Sequence, residues 1–175
     1  MKNSTLYANI DLSEQQIIDC SSSQGNSGCN GGWLTNVYNY VISYGTTTES
    51  NYPYTQVASS CKSNGGSYKI SNYQGGALAN CSALAAMVSG RPLSIAVSAG
   101  NAYWQNYAGG ILNVCGNGGV DHGVTLVGVY QDDTQNYWKV KNSWGQTWGE
   151  KGYIRLDRSK DNICHICSYG FYPQI

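Results

Sequence analysis

Two polar side chains stand out because of what surrounds them. His122 opens the run Gly-Val-Thr-Leu-Val-Gly-Val, and Asn142 follows Tyr-Trp-Lys-Val-Lys. Both runs are rich in β-branched or aromatic residues, and the turn-like Gln131-Asp132-Asp133-Thr134-Gln135-Asn136 separates them. That pattern predicts two adjacent antiparallel strands. On neighbouring strands an imidazole and a carboxamide can come within hydrogen-bond reach. An amide oxygen that fixes one histidine tautomer leaves the other ring nitrogen ready to move a proton, two thirds of a Cys-His-Asn catalytic arrangement. A core histidine satisfied by a neighbour would use the same two residues. Spacing alone leaves both readings open, because geometry identifies a triad.

Several other elements must hold this pair in place. Ser13 reads as a helix N-cap with Gln16 at the third helical position, a capping-box arrangement. The short helix would run through Asp19-Cys20, with Ile17 and Ile18 able to face inward. Beyond a polar loop and Gly28-Cys29-Asn30-Gly31-Gly32, the residues Trp33, Val37, Tyr40, Val41 and Tyr44 recur at helical spacing, and Gly45 supplies a stop. Residues 59–76 read as loop with short strands. A third helix would begin at Asn80, its N-cap, and end at Gly90 and Pro92. Strands are expected at 93–97, 110–112, 122–130, 137–141, 152–156 and 170–172. The fold class is α+β, with a helical part in residues 1–76 and a β-rich part in 77–175 that carries His122 and Asn142.

Composition narrows the function classes. Charged residues make up 11% of the 175-residue chain, about half the usual share, while Gly (22) and Tyr (15) are abundant. Ten basic and ten acidic residues balance, and Lys and Arg form no run, so nothing points to nucleic acid or an anionic membrane surface. No apolar stretch approaches the roughly 18 residues of a membrane-spanning helix. Residues 1–10 lack the apolar core of a signal peptide, yet seven cysteines without zinc-like pairing suit an oxidising compartment. Truncation at the front would reconcile these two signs.

Four motifs in order resemble papain-type cysteine peptidases. They are Ser13-Glu14-Gln15-Gln16-Ile17-Ile18-Asp19-Cys20, Gly28-Cys29-Asn30-Gly31-Gly32, Val120-Asp121-His122-Gly123, and Lys141-Asn142-Ser143-Trp144-Gly145 with its continuation to Arg155. The likeness extends to Phe171-Tyr172-Pro173. It implies a papain-like two-domain fold, truncated at the N-terminus, with part of a helical domain and an antiparallel, β-barrel-like domain. It further implies His122 as acid/base, Asn142 as the group that orients its ring, and Trp144 as a shield over the His–Asn hydrogen bond. Gly31 and Gly32 would form a backbone rail for an extended substrate, although a simple tight turn would use the same glycines. Trp33, Leu34, Ala96, Val120 and Gly123 would wall an apolar pocket for the second residue before the scissile bond, with Asp121 in the same substrate-binding set. Tyr169 would stand at the pocket's floor, favouring a medium aliphatic side chain, and Trp148 would flank the leaving-group side. No cofactor or metal is implied. The expected partner is a protein or peptide substrate in a lysosomal, vacuolar or extracellular setting, and the oligomeric state stays open.

One part of the pattern is missing. The family's nucleophile lies in Cys-Gly-(Ser/Ala)-Cys-(Trp/Tyr), roughly 130–150 residues before the histidine, and no such string occurs in this sequence. Its oxyanion-hole glutamine is absent with it. The resemblance therefore implies an enzyme portion that does not cleave peptides alone; an inactive pseudopeptidase that binds peptides or a regulatory partner is the alternative. By the same resemblance Cys20 pairs with Cys61 and Cys115 with Cys164, while the partner of Cys29 lies in the missing segment. Cys81 and Cys167 read as buried free thiols. Cys164-His165-Ile166-Cys167 looks like half a metal site with no second half. Asn3-Ser4-Thr5 and Asn80-Cys81-Ser82 fit the glycosylation triplet, a pattern that also arises by chance, and Asn80 reads first as a helix cap.

Overall fold

The computed structural model describes residues 9–175, so the Asn3 triplet lies outside the described residues. The chain forms two compact units, residues 1–73 with 173–175 and residues 74–172.

The first unit is built on helices α1 (Glu14–Cys20) and α2 (Leu34–Ser43), joined by 3-10 turns at Ser21–Gln24 and Gly28–Asn30. Ser13 caps α1, its hydroxyl accepting from the Gln16 N–H at 3.0 Å. The reciprocal half of a capping box is absent. Ser13 N–H donates to the Thr47 carbonyl instead, and the Gln16 side chain is used elsewhere. Its Oε1 accepts from Thr46 Oγ1 and the Thr47 N–H, and its Nε2 donates to the carbonyls of Ser63 and Gly65. The buried face of α1 is accordingly Gln15 and Gln16, with Ile17 and Ile18 only half-buried. Ile17 still faces inward as expected, packing on Cys20, Tyr40 and Tyr52, but the glutamines are the more deeply buried. A glutamine that meets four loop partners inside loses nothing by burial, and the loops gain fixed positions.

Helix α2 starts one residue later than the apolar spacing suggests, with Trp33 as N-cap. Of its apolar positions only Tyr40 is fully buried, and Gly45 ends the helix at φ 78° with its N–H on the Val41 carbonyl. Tyr40, Tyr52 and Cys20 form a small core, and the Cys20–Cys61 disulfide ties the 59–66 loop to the end of α1.

The second unit contains a seven-stranded, mainly antiparallel sheet. Its strands are β1 (Asn72–Ala77), β2 (Leu93–Val97), β3 (Ile111–Leu112), β4 (His122–Gln131), β5 (Asn136–Lys141), β6 (Tyr153–Asp157) and β7 (Tyr169–Gln174), in the order β1-β7-β2-β4-β5-β6-β3. The sheet stays open and does not close into a barrel. Helix α3 (Cys81–Val88) and the short α4 (Ala102–Gln105) belong to this unit, each capped by an asparagine: Asn80 accepts from the Ala83 N–H and Asn101 from the Trp104 N–H. Helix α4 escapes a periodicity reading because a single turn carries no period. The core is continuous, with Leu84, Leu93, Ile95, Trp104, Leu126, Trp138, Ile154 and Leu156 among its fully buried members.

Two disulfides join the loop before β7 to this core. Cys115–Cys164 agrees with the family-based pairing. Cys81–Cys167 does not: the two residues expected as free thiols are bonded, linking the start of α3 to the entry of β7. Their sequence separation of 86 residues hid the pairing, since only the packing of α3 beside β7 brings them together. Near the other edge, Glu150 receives three hydrogen bonds from Arg155 and one from the Gly110 N–H. The Arg155 hydrogen bonds, outweighing partial burial, hold the Glu150 carboxyl below its ordinary value.

Gln16→Ala should remove four hydrogen bonds to the loops, one of them to the buried Thr46 hydroxyl, and lower unfolding free energy by about 2 kcal/mol, read as a drop in urea midpoint. A carboxyl whose folded value is depressed stabilises the fold above its unfolded value and loses that contribution as pH falls through the folded value. Acid titration followed by tryptophan fluorescence should therefore show a stability loss below the ordinary glutamate range, about pH 4, that Glu150→Gln diminishes.

Candidate active site

Strand register brings the polar pair together. β4 pairs with β2 on one side, with Val97 opposite His122, and with β5 on the other, with Thr125 opposite Lys141 and Leu126 opposite Val140. Continuing that pairing by one residue sets Asn142 across from Val124. His122, Val124 and Leu126 share a face by the two-residue period of a strand, and Asn142 shares it with Val140. His122 and Asn142 are thus diagonal neighbours on the core side of the sheet, a separation that two polar side chains bridge. The Asn142 N–H donates to the Gly152 carbonyl, extending the β5–β6 ladder and fixing its backbone.

His122 Nε2 lies 2.8 Å from Asn142 Oδ1, and the Ser143 N–H donates to the same oxygen at 2.8 Å. A backbone N–H can only donate, so the atom it meets is the carboxamide oxygen. Nε2 must then carry hydrogen, and the neutral ring presents Nδ1 as an acceptor. Asn142 is buried, and its Nδ2 has no partner among the described residues. The site tolerates an unpaired buried donor in exchange for a fixed imidazole orientation.

An aromatic array supports this corner. The Trp144 ring centroid lies 5.2 Å from that of His122 and 5.4 Å, edge-on, from that of Trp148. Trp148 in turn packs on Trp104 at 5.9 Å and Tyr107 at 5.7 Å, and its indole N–H donates to the Gln105 carbonyl. Trp144 itself is 40% exposed, so it flanks the histidine while keeping one face in water. The anchoring set of Trp104, Gln105 and Tyr107 had no local signal in the sequence. It is assembled by α4.

Asp121 has a different environment from the pocket residues with which it was grouped. Its carboxylate accepts from the Ala99 N–H at 2.7 Å and the Gly100 N–H at 2.9 Å, pinning the loop after β2 to the residue before His122. Gly100 is required there, since a Cβ would stand 2.4 Å from the carboxylate. Ala96 pairs with Gly123 across β2 and β4 and is buried. Val120 and Tyr169 do line one cavity, of about 460 Å³, together with Leu78, Asn80, His165 and the Cys81–Cys167 bridge. The loop beneath it holds Asn162, Cys164 and His165 at φ 44°, 49° and 59°, a left-handed run that costs energy for residues other than glycine. Both disulfides clamp this loop, and Cys164 and Cys167 are therefore unavailable as metal ligands.

Gly31, Gly32, Trp33 and Leu34 belong to the first unit. With Ile17, Ile18 and Val37 they line a shallow, mainly apolar cavity of about 190 Å³. Gly31 is exposed at φ 99°, and Gly32 is the tight one: a Cβ there would meet Asn26 Oδ1 at 2.0 Å. That oxygen accepts from the Trp33 N–H, and Asn26 Nδ2 donates to Ser21 Oγ. Cys29 is exposed and outside any disulfide.

The geometry can be set beside known proteins. A model of the papain family of cysteine proteases matches residues 1–174. Digestive cysteine proteinase 3 of Homarus americanus is 40% identical, over all of this chain and 55% of the relative. Cysteine proteinase 3 of Dictyostelium discoideum is 41% identical, over 94% of this chain and 50% of the relative. The chain thus spans about half the length of these relatives. Among solved structures, digestive procathepsin L 3 of the Tenebrio molitor larval midgut superposes with a TM-score of 0.89 at 36% identity, covering 98% of this chain and 58% of that one. Fold and sequence agree, and the chain belongs to the papain family of cysteine proteases.

Proposed function

We propose that this chain supplies the histidine–asparagine half of a cysteine peptidase site that hydrolyses peptide bonds in protein or peptide substrates. The observation that carries the reading is the 2.8 Å bond from His122 Nε2 to Asn142 Oδ1, with Oδ1 fixed by the Ser143 N–H. It leaves Nδ1 to face a thiol. The thiol proton passes to Nδ1, the thiolate attacks the peptide carbonyl, and Nδ1–H then protonates the departing amine, leaving an acyl-enzyme. Water, deprotonated by the same nitrogen, releases the acid and restores the thiolate. Asn142 serves as the positioning residue and Trp144 limits water at the His–Asn bond.

The nucleophile and the oxyanion-hole glutamine are contributions this sequence lacks. None of its own cysteines replaces the first. Six are in disulfides, and Cys29 sits in a three-residue 3-10 turn rather than at the start of an α-helix. On this reading the 175-residue chain alone is inactive. Gly31 and Gly32 act as the backbone rail, with Trp33 and Leu34 beside them, and Trp148 flanks the leaving group. Ala96, Val120 and Gly123 contribute to the pocket for the second residue before the scissile bond, Tyr169 limits its depth, and Asp121 holds the loop beside it. The three disulfides and the relatives' digestive roles support a lysosomal, vacuolar or extracellular setting.

The chain alone is expected to give no hydrolysis of fluorogenic peptidyl amides. A longer protein that joins these residues to a Cys-Gly-(Ser/Ala)-Cys-(Trp/Tyr) segment should cleave them, and His122→Ala in it should lower kcat/KM by about 10²–10⁴-fold. Hydrolysis by the chain alone that Cys29→Ser abolishes would refute the assignment. In the active longer protein, substrate profiling should favour medium aliphatic side chains over arginine at the second position before the cleaved bond. Tyr169→Ala should broaden that preference toward longer side chains; a wild-type preference for arginine would count against Tyr169 as the pocket floor.

A further inference from the structure

Asn80 divides its carboxamide between two uses. The oxygen caps α3 by accepting from the Ala83 N–H at 3.0 Å. The nitrogen is bonded to nothing among the described residues, and the side chain is exposed on extended backbone at φ −170° and ψ 176°. Asn80 is also the first residue of Asn80-Cys81-Ser82, which satisfies the acceptor triplet for N-linked glycans. We propose that Asn80 is an N-glycosylation site, with its glycan on the nitrogen that the helix cap leaves free.

In the transfer step, Nδ2 attacks C1 of the reducing-end sugar of a lipid-diphosphate-linked oligosaccharide. The N–C1 bond forms, the C1–O bond to the diphosphate breaks, and the amide gives up one proton as the lipid diphosphate leaves. The carboxamide oxygen is untouched, so cap and glycan coexist. Capping and modification are therefore compatible at this residue.

The disulfide at the middle position of the triplet fits the same order of events. Cys81 pairs with Cys167, 86 residues further on. At a synthesis rate of about 5–20 residues per second, that separation leaves Asn80 presented for about 4–17 s before the partner cysteine exists. The compartment that oxidises three disulfides is also the one in which a nascent chain meets the oligosaccharide donor. Asn80 lines the cavity that Val120 and Tyr169 share, so a sugar on Nδ2 would stand beside that cavity.

The full chain, expressed through the secretory pathway of a eukaryotic cell, can be tested by peptide mapping before and after enzymatic glycan release in heavy-oxygen water. The expected result is a glycopeptide containing Asn80 that release converts to isotope-labelled aspartate. Ser82→Ala should abolish that conversion while the Asn80 cap remains, and Asn80→Asp should abolish it while an aspartate oxygen caps α3. Both variants should retain the Cys81–Cys167 bond, which separates lost modification from lost folding. A secreted chain with its three disulfides formed and Asn80 unmodified would overturn the proposal.

Discussion

One oxygen atom governs the chemistry-bearing corner of this protein. Asn142 Oδ1 accepts from a backbone N–H and from an imidazole N–H at the same distance, 2.8 Å. The backbone donor removes the ambiguity of a carboxamide that could turn over, and the imidazole inherits a defined tautomer from it. Everything around the pair serves that arrangement. The β4–β5 register places both residues on the core face, the Asn142–Gly152 bond continues the ladder past the end of β5, and the tryptophan array fills the space beside the ring. A shift of one residue in the register would send His122 and Asn142 to opposite faces. The buried Leu126 and Val140, paired across the same strands, make such a shift costly by exposing the apolar face with them.

Carboxamides carry much of the interior polarity of a chain with few charges. Gln15 and Gln16 replace apolar residues on the buried face of α1, and each binds segments far away in sequence: Gln15 reaches Thr55 and Val57, Gln16 reaches Thr46, Thr47, Ser63 and Gly65. Asn26 supports the Gly32–Trp33 backbone, and Asn80 and Asn101 start helices. An uncharged amide offers donors and an acceptor without the desolvation cost of an ion, which suits loops that must be held inside a small unit. Asp19 is the ionised counterpart. Burial alone would raise its carboxyl, but donations from Ser59, Tyr52 and Gln15 outweigh that and hold it below the ordinary value.

The loop that leads into β7 shows how covalent and conformational constraints combine. Three non-glycine residues adopt left-handed backbone within residues 162–165, with one disulfide inside the turn at Cys164 and another just after it at Cys167. With the chain tied to β2-side and α3-side partners, those conformations persist and deliver Tyr169 to the wall of the 460 Å³ cavity.

Residue order alone determined a good deal: the helix starts at Ser13 and Asn80, six of the seven strands to within a residue or two, and the placing of His122 and Asn142 on neighbouring strands. These are readable because caps and two-residue alternation are local, and because four spaced motifs carry a family pattern. Tertiary structure alone decided the rest. It buried the glutamines of α1 more deeply than its isoleucines, joined Cys81 to Cys167, folded α4 to anchor Trp148, and spent the Asp121 carboxylate on two backbone N–H groups. Each of these depends on partners tens of residues away, and no local period or propensity encodes which distant groups a side chain will find once the chain has closed on itself.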